Sequence, residues 1–236
     1  MKRTLILTAL MLIAFVGTQA QTLDKVLSKH FEAVGQEKLL KVETFIMKAK
    51  ISQMGMDLPM DMIIVRPNKF RLDMDMQGQK MVQAFDGETG WMIMPWISNE
   101  PQDLAGDQLK QAMSQADMEG ELYNYDEKGH TAELIGKVNS DGKEAYRIKL
   151  TTKDGSEKNY FIDANSYMVL KVKAKVEAMG QTIDVETKML DYMTVNGIKM
   201  AKKIEASSPM GAQTIVFDEI KLDEKVDDAI FARPAK

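Results

Sequence analysis

Apolar and polar residues alternate through most of this chain, as they do in β-strands with one covered face. The alternation is clearest where Leu170, Val172 and Ala174 are interleaved with Lys171 and Lys173. Because successive side chains of a strand point to opposite faces, one face of the predicted sheet is apolar and the other is charged. The pattern therefore predicts an antiparallel sheet that is covered on one side.

Segments with this period of two are separated by turn residues, and together they predict a dozen strands. The predicted strands are 44–53, 56–66, 69–77, 79–86, 90–95, 131–138, 143–151, 157–163, 167–178, 181–193, 198–207 and 212–222. A long antiparallel sheet with a single apolar face must curl or be covered. We expect a mainly β fold, an incomplete antiparallel barrel covered by helices.

Helical spacing occurs at the start and in the middle of the chain. It predicts an amphipathic helix at 22–34 that ends at Gly35, and a short second helix at 37–42. Residues 97–120 interrupt the strands and are interpreted as a helical insertion. No repeat or linker divides the chain, so residues 21–236 are predicted to form a single domain.

Residues 1–20 have the pattern of a secretory signal peptide. Lys2 and Arg3 precede an apolar run, and Thr18 and Ala20 are the small residues expected at a cleavage site. We expect cleavage after Ala20 and a periplasmic location. Removal of this segment takes Lys and Arg from 31 to 29 against 35 Asp and Glu, so the net charge changes from −4 to −6. This acidity argues against nucleic acid as a partner.

Methionine is concentrated on the predicted strands. Four pairs are spaced by two and so share a face: Met54/Met56, Met60/Met62, Met74/Met76 and Met92/Met94. Methionine is flexible and suits surfaces that accommodate guests of variable shape. One interpretation is an apolar cavity wall formed by Met60, Met62, Met74, Met76, Met92 and Met94, with Leu109 and Met113 covering it. The alternative is that these methionines are ordinary core.

Two other kinds of chemistry are less well supported. Thioethers suit Cu(I), but the strand register explains the methionine spacing without a metal. The chain has no cysteine, neither His30 nor His130 lies in a catalytic motif, and no glycine-rich phosphate loop occurs. We therefore expect no enzyme activity, no cofactor and no metal.

Four segments resemble the family of the periplasmic outer-membrane lipoprotein carrier LolA and related lipoprotein-sorting proteins. They are Ile64-Val65-Arg66-Pro67-Asn68-Lys69-Phe70, the hairpin Asp86–Pro95 with its D-G-x-x-x-W pattern, Tyr160-Phe161-Ile162-Asp163, and Phe231-Ala232-Arg233-Pro234. The resemblance implies a half-open barrel of about eleven strands whose helices form a lid over an apolar cavity. Apart from the resemblance, Trp91 and Trp96 are candidate residues of the cavity or its rim, and the alternative for Trp91 is a plain hairpin anchor.

The resemblance gives Arg66 a specific role. It aligns with the family arginine that hydrogen-bonds backbone carbonyls of the lid, and a guanidinium can hold several carbonyls at once. The alternative is a rim arginine paired with an acid such as Asp61 or Asp73.

The function implied is a periplasmic carrier that shields the acyl chains of a lipoprotein or lipid and hands them on toward the outer membrane. We expect a monomer, with handover partners at the inner and outer membranes. The alternative is an envelope sensor or scaffold that uses the same fold to bind a lipid or protein signal.

Overall fold

The structure is a computed structural model that describes residues 22–178, 181–209 and 211–234. The predicted signal peptide and its cleavage site after Ala20 lie outside the described residues. Within the described part of the chain, none of the helices has the length and apolarity needed to span a bilayer.

The predicted N-terminal helices are present. Helix α1 is Leu23–Val34, and its first turn is capped by the side chain of Thr22, which accepts a hydrogen bond from the backbone N–H of Lys25. The helix ends at Gly35, whose φ of 79° is the left-handed conformation that glycine adopts without strain. Helix α2, Gln36–Leu39, follows directly and is shorter than predicted.

The first half of the chain continues as β1 Thr44–Gln53, β2 Met56–Val65, β3 Lys69–Met76, β4 Gln79–Phe85, β5 Gly90–Met94, β6 Ser98–Asp103 and α3 Gly106–Ala116. The second half contains β7 Thr131–Ser140, β8 Lys143–Thr151, β9 Glu157–Asp163, β10 Val169–Ala178, β11 Gln181–Val195, β12 Ile198–Ser208, β13 Gly211–Leu222 and a short 3₁₀ helix, Asp228–Ile230. All twelve predicted strands are found, with bounds that differ by at most two residues.

The thirteenth strand, β6, corrects the prediction of a purely helical insertion at 97–120. Its sequence, S-N-E-P-Q-D, has no apolar alternation. It is a strand because β5 offers a free edge, on which Met92 pairs with Gln102 and Trp91 with Asp103. Edge strands of this kind are short and polar and often contain proline, so hydrophobic periodicity does not reveal them.

All the described strands form one antiparallel sheet in the order β6-β5-β4-β3-β2-β1-β13-β12-β11-β10-β9-β8-β7. Strands β6 and β7 are its two free edges, so the sheet is open, as expected for an incomplete barrel. It has thirteen strands where the family resemblance implied about eleven. The additional strands do not change the topology, in which β1 and β13 pair at the centre.

The sheet is strongly curved. Helix α3 contacts β3 and β4, yet the ammonium of Lys110 on α3 lies 3.7 Å from a carboxylate oxygen of Asp154, just beyond β8. In a flat sheet β3 and β8 would be roughly 38 Å apart, more than twice the roughly 16 Å length of α3. The two ends of the sheet therefore approach each other around the helix.

Two apolar clusters fill the face that the helices cover, here called the inner face. The first lies under α3 and includes Phe45, Met60, Phe70, Phe85 and Ala112. The second lies under α1 and joins it to β7, β8 and β9. The opposite, outer face has a smaller cluster on β4 and β5. The predicted apolar site therefore corresponds to the inner face under α3.

Candidate functional site

The strand register aligns the methionines on the inner face. Met60 pairs with Met74 on one side and with Ala49 on the other, and Met62 lies between Met47 and Leu72. Because directly paired residues share a face, these side chains form one apolar surface across three strands. The sequence interpretation that they lie on one face is confirmed.

The predicted site residues differ in how they are placed. Met60 is only 3% exposed and belongs to the cluster under α3. The partly buried residues that pack against this cluster include four more of the predicted set: Met62, Met74, Met92 and Leu109. Two others, Met76 and Met94, are partly buried but are not members of the cluster. Met113 projects from α3 and is 45% exposed, so it does not cover the inner face.

Trp91 lies on the outer face, which corrects its assignment to the cavity. It pairs with Ala84 and packs with Val82 and Ile93. Its indole N–H donates a 2.9 Å hydrogen bond to the backbone oxygen of Phe231, which fixes the C-terminal segment against the sheet. The reason is the period of two: a residue next to Met92 must point to the opposite face.

The inner face is covered in this structure. Ala112 and Ala116 of α3 are fully buried, and their small side chains allow the helix to lie close to β3 and β4. The aromatic rings of Phe70 and Phe85 fill the space beneath, with Leu104 beside them. An acyl chain on this face must therefore displace α3.

Two open clefts lie elsewhere. One of about 970 Å³ is bounded by α1, α2 and residues 122–126, with Phe31, Tyr123 and Asp126 in its lining. The other, about 580 Å³, lies around Lys173 and Glu186 on the outer face. Neither cleft is lined by the methionines of the inner face.

Arg66 connects the helices that cover the inner face. Its Nε donates to the backbone oxygen of Val42 at 2.6 Å, and its Nη2 donates to that of Leu39 at 3.0 Å. Its Nη1 forms an ion pair of 2.7 Å with the carboxylate of Glu119, which follows α3. The end of α2 and the segment after α3 therefore meet at one guanidinium. The alternative acid Asp73 pairs instead with Arg71 and Lys80.

A second polar cluster holds the segment after α3 to the sheet. The carboxylate of Glu121 accepts hydrogen bonds from Lys158 at 2.5 and 2.7 Å, from the Tyr160 hydroxyl at 2.9 Å and from Ser114 at 3.2 Å. Burial alone would raise the pKa of Glu121, but the charge of Lys158 and these hydrogen bonds outweigh it and lower the pKa. Glu121 is therefore a charged anchor.

Sequence reasoning missed both anchoring acids. Glu119 and Glu121 lie in M-E-G-E-L, which has no motif, and their partners are 53 and 37 residues away in the chain. The apolar residues on either side of these acids pack in different clusters. Met118 packs against the cluster under α3, and Leu122 belongs to the cluster under α1. This segment thus joins the two halves of the inner face.

The histidine of α1 is held in a contact with the backbone. His30 is buried, its Nδ1 is 2.8 Å from the backbone oxygen of Tyr167, and burial lowers its pKa despite that hydrogen bond. Across the described ranges, no three or more His, Asp or Glu side chains are grouped so that they could hold a metal ion. The site consists of an apolar face and of ion pairs that hold the segment after α3 over it.

Solved structures with the same fold were found by comparison. A LolA superfamily protein from Nitrosomonas europaea superposes with a TM-score of 0.60 at 13% identity, over 90% of this chain and 98% of that one. A protein described as an outer membrane lipoprotein-sorting domain, from Vibrio parahaemolyticus, gives a TM-score of 0.60 at 11% identity, over 88% and 96%. A DUF1329 family protein from Desulfovibrio piger gives 0.54 at 13% identity, over 88% and 97%.

Comparison with the curated proteins found no match. A family model described as that of an uncharacterized protein matches residues 69–235, which is more than half of the chain. The structural comparisons confirm the fold that the sequence resemblance predicted. The chain belongs to this family of uncharacterized proteins and has the fold of the LolA superfamily.

Proposed function

We propose that this protein is a carrier that binds acyl chains of a lipoprotein or lipid on its methionine-rich inner face and hands them on toward the outer membrane. The observation that carries the proposal is the alignment of Met60, Met62 and Met74 on one face beneath a helix fastened at Arg66. The likeness in fold to a lipoprotein-sorting domain adds support.

The energetics suit a carrier. Moving a sixteen-carbon chain out of water gains on the order of 12 kcal/mol, and a bilayer offers nearly the same gain. The affinity of a carrier for an acyl chain must come close to that of the bilayer without exceeding it, because the guest has to leave again. Flexible methionine side chains can adapt to a chain without a rigid fit.

The cover is suited to displacement. Ala112 and Ala116 are the fully buried residues of α3, and Leu109 packs against the cluster while partly buried, so two of the three side chains that lifting the helix would expose are small. Its first turn has no side-chain cap, because Ala105 precedes it. We infer that α3 moves away from β3 and β4 to admit a guest, while Arg66 and Glu119 hold it closed in the empty protein.

The remaining parts of the proposal follow from the same role. We place the protein in the periplasm after cleavage behind Ala20, as a monomer that meets handover partners at the inner and outer membranes. Neither a cofactor nor a metal takes part.

Native mass spectrometry of protein purified from its own envelope tests the proposal directly. We expect adducts with the mass of acylated lipid or lipopeptide, which disappear after extraction with detergent. Protein that is free of such adducts and fails to take up a fluorescent fatty acid in vitro is not a carrier.

A matched pair of variants tests which face binds the guest. Met62 and Ile63 are neighbours on β2, both partly buried, and they lie on opposite faces. Met62→Gln is expected to weaken fatty acid binding about tenfold or more, since a polar group would enter the site. Ile63→Gln is expected to leave binding unchanged, and equal losses would place the guest elsewhere.

The sensor or scaffold alternative is favoured by one observation. The cleft of about 970 Å³ between α1 and residues 122–126 is open in the structure, whereas the inner face is covered. A sensor would bind a defined protein or lipid signal there without taking up acyl chains. Substitution of Phe31 would then abolish partner binding, and Met62→Gln would not.

A further inference from the structure

Two of the three hairpins at one end of the sheet expose large apolar side chains. Consecutive strands run antiparallel, so the connections β1–β2, β3–β4 and β5–β6 all lie at the end opposite Arg66. Four of the seven large exposed apolar residues of the described chain lie at these connections: Met54 at 82% exposure, Met56 at 42%, Trp96 at 48% and Ile97 at 62%. We call these four residues the tip surface.

The tip surface carries no charge. Residues 53–56, 76–79 and 94–99 contain no Asp, Glu, Lys or Arg, although these types make up 28% of the whole chain. The nearest charged residues, Asp57, Asp75, Lys80 and Glu100, flank these segments on the strands. Single exposed apolar residues are normal, but several at one end of a sheet indicate an interaction site. The other exposed apolar residues, Met113, Ile135 and Val176, lie at separate places in the fold.

An apolar track connects the tip surface to the proposed acyl site. Along β2, Met56, Leu58 and Met60 share the inner face, and their exposed fractions fall from 42% to 7% to 3%. Met76 on β3 continues the same face beside them. The tip surface is therefore the exposed end of the methionine-rich face.

The chemistry of the tip surface fits a lipid bilayer. Tryptophan favours the region between headgroups and acyl chains, and Met and Ile side chains can enter the acyl region itself. Binding to anionic lipids would require Lys or Arg at the surface, and the tips have none. The acidic chain, at −4 overall, would also be repelled by anionic headgroups.

We propose that the tip surface docks on a bilayer of zwitterionic lipids and so places the open end of the methionine-rich face against the membrane. The docking itself stands apart from the carrier function. Its purpose, the passage of an acyl chain between membrane and protein along β2, rests on the proposed function.

Vesicle flotation with the intact protein tests the docking. The probe is protein-free vesicles of phosphatidylcholine and phosphatidylethanolamine, with and without brominated acyl chains. We expect the protein to float with the vesicles in a manner insensitive to salt. We also expect brominated chains to quench the emission of Trp96, while Trp91, which is buried against the C-terminal segment, keeps its emission.

Two double variants distinguish binding through the tip surface from nonspecific binding through other exposed apolar residues. Met54→Ser/Ile97→Ser removes apolar groups from the tips and is expected to lower the vesicle partition coefficient about tenfold or more. Ile135→Ser/Val176→Ser removes exposed apolar groups elsewhere and is expected to leave it unchanged. Thermal unfolding of all variants should match that of the parent, since these side chains are exposed.

Several results would overturn the docking: no flotation of the parent protein, equal loss in both double variants, or binding that requires anionic lipid and disappears in salt. Binding to native envelope vesicles but not to protein-free ones would show that a membrane protein is the partner instead. Fatty acid uptake is measured on the same samples. Normal uptake without flotation rejects the docking alone, and flotation without uptake rejects the carrier function alone.

Discussion

Replacing Arg66 with leucine removes a side chain that contacts both the end of α2 and the segment after α3. Leucine keeps the apolar part of the side chain but cannot reach the backbone oxygens of Leu39 and Val42 or the carboxylate of Glu119. The sheet itself does not depend on these contacts, so we expect the fold to persist. The cover formed by α3 is expected to open more often.

The magnitude follows from how the three contacts are distributed. Of these three contacts, only the ion pair with Glu119 acts on the segment after α3, which the contacts of Glu121 also hold. Its two side chains are 18% and 25% exposed, so solvent weakens it. We assign it about 1.5 kcal/mol, a factor of about ten in the opening equilibrium. The two carbonyl contacts add about 1 kcal/mol each to the stability of the α2 end. The free energy of unfolding should fall by about 3.5 kcal/mol in total.

Hydrogen exchange measured by mass spectrometry reports how often α3 and the segment after it open. In Arg66→Leu, amides of 104–122 should exchange about ten times faster than in the parent, after allowance for the global loss of stability. Glu119→Gln keeps the two carbonyl contacts and weakens the ion pair to an uncharged hydrogen bond, so about half of the effect is expected. The control is Arg71→Leu, which breaks contacts to Asp73 and to the backbone oxygen of Ile230 instead.

Unchanged exchange across 104–122 in Arg66→Leu, or the same acceleration in Arg71→Leu, would show that Arg66 does not specifically hold α3 in place. In the first case Arg66 would be a local brace of the α2 end. In the second, the cover would respond to any loss of stability, and the fastening would not be specific.

Three further predictions concern stability. The lowered pKa of Glu121 means that its contribution is present above about pH 4.5 and is lost as the pH falls through the folded pKa, so Glu121→Gln should lower the Tm at pH 7, and this effect should shrink as the pH falls below 4.5. His30 also has a lowered pKa, but because its charged form is the disfavoured one, stability should fall as the pH drops below about 6.5. The pH profile of the Tm should become flatter there in His30→Gln. Met60→Ala, at a buried position, should cost about 3 kcal/mol in urea unfolding, and Met113→Ala, on the exposed side of α3, less than about 0.5 kcal/mol.

The local structure of this protein could be predicted because short-range patterns specify it. Gly35 ends α1 where the helical spacing stops, and three of the four Met-x-Met pairs fall on one face because strands have a period of two. The prediction for Met54 was wrong, because Met54 lies in the turn between β1 and β2 with a φ of 51°. The same period places Trp91 on the face opposite Met92, so its assignment to the cavity is wrong, and the alternative of a hairpin anchor agrees with its place on the outer face. The strand β6 could not be found in this way, because pairing with β5 and not its own residues makes it a strand.

Twelve of the thirteen strands, the N-terminal helix and the methionine-rich face could be predicted, since each depends on neighbours within a few residues. The curl of the sheet, the position of α3 over the methionines and the contact of Arg66 with Glu119 across 53 residues of chain appear only in the folded protein. These features arise from contacts between distant segments, whose partners are chosen by the packing of the whole molecule. A periodic pattern predicts which side of a strand is apolar, but the packing of the folded chain determines which element covers that side.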